Sequence, residues 1–128
     1  MKAAHLAFAV LCVLSSVVKA DVFHCTFTEP FVTVTYSMAQ QTLTFDEAGQ
    51  PLKKVLNGVS FQIQSAGKFA LVNSQKQTVM TLNLSNQGSD GMSDDVYPFE
   101  TTWSKSEDGK AQQFGGCESN LLKRKHQD

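Results

Sequence analysis

From Val22 to Trp103 the chain alternates apolar and polar residues in short runs, and turn residues interrupt the alternation about every ten positions. Side chains along a strand point to opposite faces in turn, so a period of two describes a strand with one face buried and one wetted. Phe23, Cys25 and Phe27 fall on one face, with His24 and Thr26 on the other. Val32 to Tyr36 is β-branched and aromatic. Val59, Phe61 and Ile63 alternate with Ser60, Gln62 and Gln64, and Met80, Leu82 and Leu84 share a face. Tyr97, Phe99, Thr101 and Trp103 alternate with Glu100 and Thr102. Asn57-Gly58, between Leu52 to Leu56 and Val59 to Gln64, predicts a two-residue type I′ hairpin. No window carries a helical period of useful length. The expected fold is all-β, a small antiparallel meander barrel of about eight strands, since closure removes exposed strand edges.

The first twenty residues stand apart. Lys2 precedes an apolar run from Leu6 to Val18, and Val18-Lys19-Ala20 places small residues at a cleavage site before Asp21. This is the pattern of a secretory signal peptide, with cleavage near Ala20. The expected mature chain of about 108 residues forms one domain over 21–118, followed by a polar, basic and flexible tail over 119–128. No later apolar run approaches the length of a membrane-spanning helix, so a soluble monomer is expected. Cleavage removes Lys2 and Lys19 from eleven Lys and Arg residues and leaves the chain mildly acidic against twelve Asp and Glu. The only basic run is Lys123-Arg124-Lys125 in the tail, so no nucleic-acid partner is expected.

Cysteine usage points the same way. Cys12 belongs to the signal segment, which leaves Cys25 and Cys117 as an isolated pair in an exported protein. A structural disulfide is expected between them. Closing a loop of roughly 90 residues is worth about 4–5 kcal/mol on the chain-entropy model.

The composition changes most sharply at Gly88-Ser89-Asp90-Gly91-Met92-Ser93-Asp94-Asp95-Val96-Tyr97-Pro98-Phe99, a loop richer in carboxylates and hydroxyls than a strand connection requires. Asp90, Asp94 and Asp95, with Ser89 and Ser93, are the residue types a calcium ion would take, but their spacing is not that of an EF-hand loop. The plainer reading is a loop whose aspartates cap turns through backbone amides, with Met92 tucked inward, and no cofactor is expected. Nucleophilic catalysis finds little support, because the mature chain holds only His24 and His126 as bases. Paired-carboxylate chemistry has no favoured spacing among Glu29, Asp46, Glu100 and Glu118.

Four segments occur here in one order: Thr28-Glu29-Pro30-Phe31, Ser89-Asp90-Gly91-Met92-Ser93-Asp94, Tyr97-Pro98-Phe99 and Gly115-Gly116-Cys117. In this the chain resembles a family of uncharacterised bacterial periplasmic and envelope proteins with TEPF(W), SDGMSDxxYP and C-terminal glycine–cysteine segments. It departs from that family at Val32, where tryptophan is usual, and at Gln87-Gly88, where many relatives carry a cysteine. The resemblance implies a periplasmic or secreted bacterial protein and brings no activity with it. It also raises the expectation that Glu29-Pro30-Phe31 and the loop from Ser89 to Phe99 lie together, as a shared surface or a shared structural corner.

The functional reading that follows is a non-enzymatic binding module of the bacterial envelope, for a small ligand or an envelope protein. Its candidate surface is Glu29, Phe31, Ser89, Asp90, Met92, Ser93, Asp94, Asp95, Tyr97 and Trp103. The second reading is a protein inhibitor of a basic enzyme such as lysozyme, by charge complementarity of the acidic loop. A hydrolase is the third.

Overall fold

The computed structural model describes residues 21–28, 31–104 and 112–126. The expected signal segment 1–20 and the site candidate Glu29 lie outside the described residues. Nine strands are present among them: β1 (Val22–Phe27), β2 (Val32–Ser37), β3 (Thr42–Glu47), β4 (Lys54–Leu56), β5 (Ser60–Ser65), β6 (Lys68–Val72), β7 (Thr78–Gly88), β8 (Tyr97–Ser104) and β9 (Gln112–Ser119). All pairings are antiparallel, in the order β4-β3-β2-β1-β9-β8-β7-β6-β5. The expected all-β meander is therefore present. It is a curled half-barrel whose first and last strands meet in the middle of the sheet and whose open side lies between β4 and β5.

Ring contacts between strands that are not sheet neighbours show the curl. Phe23 of β1 stacks on Phe61 of β5 at 5.5 Å between centroids, and Trp103 of β8 lies 4.8 Å from Phe45 of β3. Around them Phe27, Val32, Val34, Tyr36, Leu43, Met80, Leu82 and Phe99 are buried in one interior cluster. Each such side chain contributes about 1.5–3 kcal/mol by leaving water. At the seam, Cys25 and Cys117 are direct partners in the β1–β9 register, with Cα atoms 4.0 Å apart, and form the expected disulfide across a sequence separation of 92.

The Asn57-Gly58 hairpin is not formed. Its flanking strands diverge, β4 to β3 and β5 to β6. A type I′ turn needs positive φ at both central residues, and here only Gly58 has it, at 70°. Tertiary bonds override the local preference: the Val59 amide donates to the Gln41 carbonyl at 2.9 Å, and the Tyr36 hydroxyl donates to the Val59 carbonyl at 2.7 Å. Val59 is fully buried. The segment thus crosses from one sheet edge to the other and plugs the interior. The strand beyond the expected eight is β9, where Gly115-Gly116-Cys117 belongs to an eight-residue strand paired with β1 and β8.

Two residues expected in the core are exposed. Ile63 stands on β5, which has β6 on one side and, among the described residues, no strand on the other, and the register breaks just beyond it. Leu84 lies where β7 outruns β6, whose pairing stops at Asn83. The C-terminal segment also departs from the expected flexible tail. β9 continues to Ser119, and Lys125 forms a two-bond antiparallel bridge with Val96 at 2.7 and 2.8 Å.

Candidate functional site

The loop after β7 is organised by Asp90. The Met92 and Ser93 amides donate to its Oδ1 at 2.9 and 2.8 Å. The Ser93 hydroxyl donates to Oδ2 at 2.7 Å and the Tyr97 hydroxyl at 3.1 Å. Ser89 Oγ accepts from the Gly91 amide at 3.0 Å. Gly91 has φ 84°, and a Cβ there would sit 2.8 Å from Thr28 Oγ1. Each residue of Ser89-Asp90-Gly91-Met92-Ser93 therefore has a local structural task, which is the turn-capping reading.

Tyr97 is buried yet absent from the interior cluster. Cys25, Cys117 and Phe99 face inward, so Thr26, Gly116 and Glu100, one step along, face outward. A Cβ on Gly116 would lie 2.7 Å from the Tyr97 ring, which places that ring on the outer face. The acidic loop folds over it as a small second layer. Thr28, Asp90-Gly91, Tyr97 and Gly116 come from the four segments that carry the family resemblance, and they meet at this one corner.

Three groups share the Tyr97 oxygen. It donates to Asp90, accepts from Arg124 Nη1 at 2.8 Å and is reached by the Thr26 hydroxyl. Burial pushes the Tyr97 hydroxyl above its ordinary range, so it stays protonated and able to donate. The Arg124 guanidinium also lies over the ring at 5.6 Å and within 3.5 Å of both Asp95 and Glu118. His126 Nδ1 contacts Asp95 Oδ1. Burial alone would raise the Asp90 carboxyl, but the bonds from Ser93, Met92 and Tyr97 outweigh it and bring it from 3.8 down to about 2. Asp90 is an internal anion held by donors.

The candidate surface therefore separates into two places. Asp90 and Tyr97 are buried, so no partner reaches them directly. Ser89, Ser93 and Asp94 are exposed, Asp95 is half-buried, and Met92 is 58% exposed rather than tucked inward. Asp94, Asp95, Ser89 and Ser93 line an open depression of about 440 Å³ beside Asn86 and Gln87. Among the described residues, no group of three or more His, Cys, Asp or Glu side chains is disposed to hold a metal ion. Nor is any helix among them long and apolar enough to cross a membrane.

Trp103 lies six residues beyond Tyr97 on the same strand, roughly 20 Å away at strand rise. It borders an open cleft of about 380 Å³ at the other end of the half-barrel, with Val32, Phe45, Glu47, Gln50, Leu52 and Lys54. Val32 and Phe45 form an apolar floor, Glu47, Gln50 and Lys54 a polar rim, and Leu52 is 84% exposed. Phe31 is exposed near the neighbouring hollow formed with Phe27, Thr33 and Asp46. Sequence reasoning did not assemble this cleft, because its residues belong to β2, β3, β4, β8 and a turn, with no local motif. Arg124 was likewise read as tail. Its contacts are with Tyr97, Asp95 and Glu118, none of them adjacent to it in sequence, so no local pattern marked it.

No family model matches the chain, nor does any curated protein or solved structure.

Proposed function

We propose that the protein is a non-enzymatic binding module of the bacterial envelope and that its ligand site is the cleft at the Trp103 end. The observation that carries this is the Trp103–Phe45 pair, two large rings 4.8 Å apart bordering an open, pocket-sized cavity with a charged rim. Such a site suits a small molecule with a flat apolar part and one polar group. Export to the periplasm rests on the signal pattern, and the envelope assignment on the four-segment resemblance.

Trp103 is the only tryptophan in the chain, so its emission reports the cleft directly. An anilinonaphthalene sulfonate probe should bind the folded, oxidised protein saturably, with energy transfer from Trp103. Leu52→Asp and Lys54→Glu, both at exposed positions, should weaken binding about tenfold or more, the effect of losing roughly 1.4 kcal/mol. Absence of saturation, or equal binding by both variants, defeats this reading.

One observation favours the inhibitor reading as a second. Asp90 holds the loop so that Met92 and Asp94 project from a pre-organised backbone, which lowers the ordering cost of docking into a basic enzyme's cleft. Inhibition of lysozyme that is lost on Asp94→Ala while the fold stays intact would select it.

A further inference from the structure

The two strands at the sheet's open side are built in opposite ways. β4 is three residues long, follows Pro51, and carries exposed Lys53 and Lys54 at its start. Short length, proline and lysine are the devices that keep a free edge from pairing. β5 has none of these, and its one register shift, a further such device, lies beyond Ile63. It is six residues, Ser-Phe-Gln-Ile-Gln-Ser, and no Asp, Glu, Lys or Arg occurs from Asn57 to Gly67. Its pairing with β6 is regular from Ser60 to Ile63 and shifts only beyond, so its other side offers a regular ladder of the same length. On this stretch Ile63 is 74% exposed, two residues from half-buried Phe61, which stacks on Phe23 and Phe69.

We propose that β5 is a self-association edge, pairing antiparallel with β5 of a second copy of this chain across a two-fold axis at Gln62. In that register Ile63 of each copy lies opposite Phe61 of the other, an aliphatic–aromatic cross-strand pair on the apolar face. Gln62 meets its own counterpart, and the regular ladder ends at Ile63, before the register shift. The uncharged segment lets two copies approach without like-charge contact, and its pattern complements itself. Isologous pairing uses both β5 edges and leaves only the lysine-bearing β4 edges free, so assembly stops at the dimer. The ladder is short and buries far less than the ~1,000 Å² of a stable interface, so the dimer is weak. This inference stands apart from the Trp103 cleft.

Sedimentation of the oxidised protein from ~20 µM to ~2 mM, a range suited to a small interface, should show the average mass rising toward twice the monomer. Ile63→Lys should hold it at the monomer throughout, while Val55→Lys on β4 should leave association unchanged. In the proposed register the two Gln62 Cα atoms approach to about 4.5–5.5 Å, within disulfide reach. Gln62→Cys should therefore cross-link under mild oxidation at least tenfold faster than Val55→Cys. A wild-type protein that stays monomeric at every concentration overturns the proposal, whatever else the edge binds. So does a dimer indifferent to Ile63→Lys, growth beyond the dimer, or equal cross-linking at the two positions.

Discussion

Replacing Asp90 by asparagine removes the charge at the acidic corner and keeps the shape. The carboxylate accepts four hydrogen bonds and has its pKa lowered from 3.8 to about 2. A group whose folded pKa lies below its unfolded value stabilises the fold above the unfolded pKa, and loses that contribution as pH falls through the folded one. A shift of nearly two units corresponds to about 2 kcal/mol at neutral pH, of which about half should remain at pH 3 and under a fifth at pH 2. That is a substantial part of a domain stability of roughly 5–15 kcal/mol. Urea unfolding of wild type and Asp90→Asn, both oxidised, should be compared at pH 7, 4, 3 and 2. The stability gap should be about 2 kcal/mol at pH 7, nearly the same at pH 4, and should close steeply below it. A gap that does not change with pH, or one below about 0.5 kcal/mol at neutrality, would refute the view of Asp90 as a buried anion held by donors.

Other perturbations test the rest of the framework. Gly116→Ala puts a methyl 2.7 Å from the Tyr97 ring and should cost roughly 1–3 kcal/mol in chemical denaturation. Gly49→Ala is its control: φ is 87° but nothing lies within 4 Å, so only backbone strain of about 1 kcal/mol is expected. Tyr36→Phe leaves the buried Val59 carbonyl without its 2.7 Å donor and should cost about 1–3 kcal/mol by the same assay. Reducing the Cys25–Cys117 bond should remove roughly 2–5 kcal/mol, read as a lowered Tm with reductant present.

What could be read from the sequence was what depends on near neighbours or on covalent chemistry. Period-two alternation placed Phe23, Cys25 and Phe27 inside because both faces of β1 are set by one pleat. The disulfide followed from there being only two cysteines beyond residue 20. Ile63 and Leu84 carry the same alternation, but whether a face is covered depends on where neighbouring strands end, which periodicity does not encode. Asn57-Gly58 failed for a related reason. Its local preference is worth little against two hydrogen bonds from residues distant in sequence, Gln41 and Tyr36, that hold Val59 in the interior. That one substitution of a crossing for a turn leaves β4 and β5 as the two edges of the sheet, and the ninth strand is β9, whose glycines hid it from the alternation.

The same distinction separates motif from site. Ser89-Asp90-Gly91-Met92-Ser93 stands out in the sequence because several rare requirements fall within five residues: a serine to cap Gly91, a carboxylate to gather two amides, a glycine at positive φ against Thr28, and a second hydroxyl. Tyr97 and Gly116 belong to the same device, since the ring fills the space that a side chain at Gly116 would take. These requirements are met by folding, and they leave Met92 and Asp94 as the loop's exposed offering. The Trp103 cleft is the converse. Val32, Phe45, Lys54 and Trp103 each satisfy ordinary strand rules, and no two of them are close enough in sequence to form a pattern. Curling the sheet is what brings β3 against β8, so the cleft is a consequence of closure at the β1–β9 seam. The disulfide ties β1 to β9 at the centre of the run β3-β2-β1-β9-β8, whose two outer strands carry Phe45 and Trp103.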